Sequence, residues 1–167
     1  MAATETGVWD LQDVRDKQLA SEWSYDGFDP HSLYAWGRGL YGNIGNNVGS
    51  PSGSRSSPSQ IPGSWTVLVD GCEGLAMLAI KDDNTLWSWG AGDLGEVGTS
   101  DTTRRSSPVQ IPGNTWDQVS AGEQIVVARK TDGTLWTWGS GTAGKLAHNN
   151  TTSYSSPKQV PGTWSQA

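Results

Sequence analysis

Apolar positions in residues 33–167 sit in short runs such as Ile125-Val126-Val127-Ala128, broken every few residues by glycine, proline, serine or threonine. Such runs are the length of strands. Ile125 to Lys130 is a largely apolar run, Thr131-Asp132-Gly133 a turn, and Thr134 to Trp138 an alternating run. That order predicts a β-hairpin, with Asp-Gly supplying the positive φ values of a tight turn. Ala76 to Ile80, Asp83-Asn84 and Leu86 to Trp89 repeat the order with asparagine in the glycine position. Alternation places Trp87 and Trp89 on one face of their strand and Leu86 and Ser88 on the other. One of those faces is expected to meet a neighbouring sheet.

The pattern is written three times. Leu86-Trp87-Ser88-Trp89-Gly90 returns as Leu135-Trp136-Thr137-Trp138-Gly139 and, more loosely, as Leu33-Tyr34-Ala35-Trp36-Gly37. Ser-Ser-Pro follows each opening, at 56–58, 106–108 and 155–157, then Gln-Ile/Val-Pro-Gly, then Trp65, Trp116 or Trp164. The openings stand 53 and 49 residues apart, a period of propeller blades and longer than the usual helical repeats. Units are therefore assigned to 33–85, 86–134 and a partial 135–167, preceded by an arm at 1–32.

These motifs resemble the regulator of chromosome condensation repeats. The likeness rests on Leu-Trp-Ser-Trp-Gly, Leu94-Gly95-Glu96-Val97-Gly98, Ser-Ser-Pro-Val-Gln-Ile-Pro-Gly, Val119-Ser120-Ala121-Gly122 and Lys130-Thr131-Asp132-Gly133-Thr134. It implies an all-β fold: a partial β-propeller of antiparallel four-stranded blades, two repeats complete and the third truncated, with the arm or a short helix in front. Cys72-Glu73-Gly74 stands where Ala121-Gly122-Glu123 is found in the next copy, and Leu146-Ala147 lacks the glycine of Gly45 and Gly98. The resemblance implies closure with about seven blades, more than this chain supplies alone. The third repeat is expected to break off at a blade midpoint, as the front of a longer polypeptide starting at Met1. Assembly of several copies, or a capping partner, would also cover the open end.

The arm is different in kind. Val8, Leu11, Val14, Leu19 and Trp23 form an imperfect helical stripe, with Asp10 as a candidate N-cap. Residues 1–32 carry seven acidic and two basic side chains, whereas 33–167 carry ten and nine, so the net charge of −6 belongs mostly to the arm. Trp9, Leu11, Val14, Leu19 and Trp23 are the candidate docking residues, either onto the first blade or onto another protein. Residues 7–17, followed by repeats of this type, also resemble the opening of virion proteins of tailed marine phages. That likeness implies a virion protein made in the host cytoplasm, oligomeric within the particle, with other virion proteins as partners and a host-surface receptor or glycan as a further one.

Candidate chemistry is sparse. No basic stripe suited to a nucleic-acid backbone appears, and no apolar segment has the length of a signal or membrane span. Cys72 is the sole cysteine and reads as a small strand residue. His31 and His148 lie in separate segments, read as solvent-facing, and Gly42 to Asn47 lacks the lysine of a phosphate loop. No catalytic group, cofactor or metal site is assigned. The tryptophans are expected in the core, Trp89 and Trp138 at equivalent buried positions. Recognition is placed in the loops after Gly37, Gly90 and Gly139, since loops on a rigid sheet vary without disturbing its core. Arg38, Tyr41, Arg104, Arg105 and Tyr154 are the candidates there. A non-enzymatic virion structural protein, attached through its arm, is the leading functional expectation. The alternatives are a cellular interaction module of the guanine-nucleotide-exchange type and a glycan-binding head.

Overall fold

The computed structural model describes residues 31–49, 52–71 and 76–165. The arm positions Trp9, Leu11, Val14, Leu19 and Trp23, and Cys72, lie outside the described residues. Ten strands follow one another: β1 (Leu33–Gly37), β2 (Arg55–Ile61), β3 (Trp65–Gly71), β4 (Ala76–Lys81), β5 (Leu86–Gly90), β6 (Arg105–Gln110), β7 (Trp116–Gly122), β8 (Ile125–Lys130), β9 (Leu135–Gly139) and β10 (Tyr154–Val160). All pairings are antiparallel, and they make three sheets: β1-β2, β3-β4-β5-β6 and β7-β8-β9-β10. A short 3-10 turn at Thr142–Gly144 is the exception to β structure.

The sheets cut the sequence at a different phase from the motifs. A sequence unit opening at Leu86 supplies the last two strands of one sheet, β5 and β6, and the first two of the next, β7 and β8. This corrects the expected break at a blade midpoint. The last sheet has all four of its strands, and among the described residues the two-stranded one is the first.

Two clusters glue the stack, one on each side of the middle sheet. Leu33, Ile61, Trp65, Ala79 and Trp89 fill the space between the first and middle sheets. Leu78, Ile80, Leu86, Ile111, Trp116, Val126 and Trp138 fill that between the middle and last. Both faces of β5 are thus covered, Trp87 and Trp89 toward the preceding sheet and Leu86 toward the following one, where the sequence had suggested a single contact face. Trp89 and Trp138 are fully buried at equivalent positions. Burying rings of that size is the largest apolar contribution available to a chain with 34% hydrophobic residues.

The hairpin turns fall where the sequence predicts, with one difference. Only their third residue takes positive φ, Asn84 at 60° and Gly133 at 80°. Asn84 N–H donates to Lys81 C=O and Gly133 N–H to Lys130 C=O, both at 2.9 Å. This is a type I turn closed by a left-handed residue, which asparagine and glycine both tolerate.

Candidate interaction surface

Each of these turns sets a tryptophan. Asp83 Oδ1 accepts from Thr85 N–H at 3.1 Å and from the Thr85 hydroxyl at 2.6 Å, and that hydroxyl in turn accepts the Trp87 indole N–H at 2.8 Å. Asp132, Thr134 and Trp136 repeat the relay at 2.9, 2.6 and 3.0 Å. The threonine bonds hold the Asp83 and Asp132 carboxyls below the usual carboxylate range. Lys81 Nζ then lies 3.8 Å from the Trp87 ring centre, and Lys130 Nζ 4.6 Å from that of Trp136, each cation–π contact worth about 0.5–1 kcal/mol at an exposed site.

Of the loops after β1, β5 and β9, at 38–54, 91–104 and 140–153, the first two clasp the following sheet. Asn47 N–H donates to Ser106 C=O and Ser100 N–H to Ser155 C=O, both at 2.7 Å. The carbonyls of Asn43 and Glu96 accept the indole N–H of Trp89 and Trp138, at 3.0 and 2.8 Å. Glycine is required beside those indoles: a Cβ on Gly45 would stand 2.9 Å from Trp89 Nε1, and one on Gly98 2.8 Å from Trp138 Nε1. Ala147, in the third copy, keeps the same backbone at φ 59°.

Of the loop candidates, the structure brings some together and not others. Arg104 pairs with Asp93 at 2.7 Å and lies 4.8 Å from the ring centre of Tyr41, joining the first two loops. The Arg104 bonds hold the Asp93 carboxyl low, and Asp93 in turn raises the guanidinium. Arg105 pairs with Asp101 at 2.6 Å, whose carboxyl is lowered first by the Thr103 backbone N–H. Arg38 is exposed on the first loop. Tyr154 sits apart on the last sheet, where Lys158 and Asn150 donate to its hydroxyl at 2.6 and 3.2 Å and lower its pKa.

The reading of the histidines as solvent-facing is corrected for His148. His31 Nδ1 lies 3.1 Å from Asp82 and remains partly exposed. His148 is half-buried, edge-on to Tyr154 at 5.3 Å and 3.0 Å from the buried Thr137 hydroxyl. Burial, with the Lys158 charge second, lowers its pKa. Sequence reasoning also missed Leu94, exposed at the tip of the second loop, and the Thr85 and Thr134 relays. Among the described residues no cluster of metal-binding side chains occurs, and no helix is long and apolar enough to cross a membrane.

Four-stranded antiparallel sheets stacked face to face, with their first strands β3 and β7 drawn together, are blades of a β-propeller. Within that class, residues 83–129 and 132–166 are regulator of chromosome condensation (RCC1) repeats, and a second model of the same description matches 116–145. The E3 ubiquitin-protein ligases HERC2 of Homo sapiens and Mus musculus are each 31% identical over 100 residues, which is 58% of this chain and 2% of theirs. Human WBSCR16 superposes with a TM-score of 0.68 at 23% identity, over 79% of this chain and 35% of that one. Prp20p of Saccharomyces cerevisiae, whose structure is described with its binding to Gsp1p and histones, gives 0.68 at 19% identity, over 81% and 35%. The chain spans about a third of those solved propellers, and at such identity the likeness is one of fold.

Proposed function

We propose that this chain is a protein-interaction module that presents the loops 38–54, 91–104 and 140–153 from a stack of blades. One observation carries the reading: a constant frame holds variable contents. Gly39 and Gly42, Gly92 and Gly95, and Gly141 and Gly144 occupy matching places, while the pairs between them are Leu40-Tyr41, Asp93-Leu94 and Thr142-Ala143. A Cβ on Gly42 would lie 2.7 Å from the Arg105 carbonyl oxygen, and one on Gly95 2.6 Å from Ser155 Cα, so close packing fixes the frame and leaves the tips free to differ. Exposed Leu94 beside the Arg104–Asp93 pair gives an apolar anchor with a polar rim, the composition of a protein-binding patch. Tyr41→Ala, Leu94→Ala and Arg104→Ala together should abolish capture of the chain's partner from its native source while circular dichroism stays that of the wild type. Unchanged capture by the folded triple variant would refute the reading.

The finer placement, on a tailed-phage particle through residues 1–32, is supported by the likeness of residues 7–17 alone, and the comparisons add nothing to it. In that setting the loops would face another virion protein or a host receptor. Mass spectrometry of purified particles decides it: the chain is present at stoichiometric level, or the placement is wrong. Guanine-nucleotide exchange and glycan binding gain no residue-level support from the loop geometry.

A further inference from the structure

Three exposed aromatic side chains are the separated pieces of a set that the chain completes twice elsewhere. Trp65 packs 6.3 Å from Trp87 and 5.8 Å from Trp89, and Trp116 packs 6.1 Å from Trp136 and 6.3 Å from Trp138. By position in the repeat, the third set is Trp164 with Tyr34 and Trp36. These are 40%, 45% and 63% exposed, and they make up three of the five exposed large hydrophobic residues among the described ones. Trp164 follows the last sheet while Tyr34 and Trp36 lie on the first, with the middle sheet packed between.

The two ends carry matching halves of one junction. Trp164 N–H donates to Gly133 C=O at 2.9 Å, as Trp65 does to His31 C=O at 2.8 Å and Trp116 to Asn84 C=O at 3.0 Å, so its backbone already has the position of a blade's first strand. Arg129 fixes it further, donating to the carbonyls of Trp164 and Ser165 at 3.4 and 2.6 Å. Asn149, at φ 55°, holds the place of Asn47 and Ser100, whose N–H groups clasp Ser106 and Ser155. At the other end Ser56 occupies the place of Ser106 and Ser155.

We propose that copies of this chain associate head to tail, Trp164 of one closing on Tyr34 and Trp36 of the next. Asn149 N–H would meet the Ser56 carbonyl, and the Lys145 carbonyl would receive the Trp36 indole as Asn43 and Glu96 receive Trp89 and Trp138. Ala147 makes this junction weaker than the internal ones. Its Cβ lies where Gly45 and Gly98 leave room for an indole, so Trp36 must sit a few tenths of an ångström further out, and assembly depends on concentration. A heterologous contact of this kind builds a ring or an open chain. It is independent of the loop-tip reading above, because Leu94 and Arg104 take no part in it.

Sedimentation velocity of residues 1–167 tests the proposal. The wild-type mass should rise above one chain with concentration, while Trp36→Ala and Trp164→Ala each stay at one chain, with near-ultraviolet circular dichroism showing the buried rings still packed. Mixing the two variants should give a two-chain species and nothing larger, since each supplies the surface the other lacks. Ala147→Gly should move assembly to several-fold lower concentration. A wild type that is one chain at every concentration overturns the proposal. So does assembly that survives both substitutions, or a mixture that stays at one chain.

Discussion

A tryptophan in this fold is defined by what its ring nitrogen finds. Trp89 donates to Asn43 C=O at 3.0 Å, whereas the buried Nε1 of Trp116 has no partner among the described residues. Both rings are buried, so replacing indole by phenyl costs them similar packing, and the hydrogen bond separates them. Trp89→Phe should therefore destabilise by about 1 kcal/mol more than Trp116→Phe in urea unfolding. The turn carboxylates give a second test at this scale. Asp83 and Asp132 are held below the unfolded carboxylate pKa by their threonine bonds. Their contribution is complete above the unfolded pKa of about 4 and is lost as pH falls through the lowered folded value. Thermal midpoints of Asp83→Asn/Asp132→Asn should fall below wild type at pH 7, and the gap should narrow toward pH 2. The sequence displays Asp-x-Thr-x-Trp twice, but only distances reveal the hydroxyl as the link, because threonine next to a turn is common whatever its side chain bonds. His148 was opaque for a similar reason: its partner Thr137 is eleven residues away and on a different element.

At the scale of the element, strands and turns were largely legible, because period-two alternation and the turn residues are local signals. Phase was not. Leu-Trp-Ser-Trp-Gly is the most visible motif, yet it marks a third strand, and a period says nothing about where its unit folds. Nor does sequence show which glycines are pressed by a neighbour. Gly95 would bring a Cβ to 2.6 Å from Ser155 Cα, while its counterpart Gly144 meets open space apart from Asn150 O at 4.0 Å. Gly95→Ala should cost about 2–3 kcal/mol through overpacking against backbone and strain, and Gly144→Ala only the left-handed strain of about 1 kcal/mol. Equal losses in chemical unfolding would mean that the loop does not grip the next sheet.

Across the whole molecule, a stack of blades draws its stability from neighbours. The middle sheet is packed on both faces and the first sheet's described strands have one such cluster. Hydrogen exchange should accordingly find β1 and β2 opening well before β5 and β6, although their sequences are closely similar; matched protection would contradict nearest-neighbour coupling. The half-blade offset between motif and sheet bears on how such a chain can change length. Each complete sequence unit is a bridge with one foot in each of two sheets, so loss or gain of such a unit by recombination between copies preserves both feet wherever the crossover falls. No breakpoint has to coincide with the edge of a sheet, and the gene can lengthen or shorten its array while every intermediate still encodes whole, covalently laced blades.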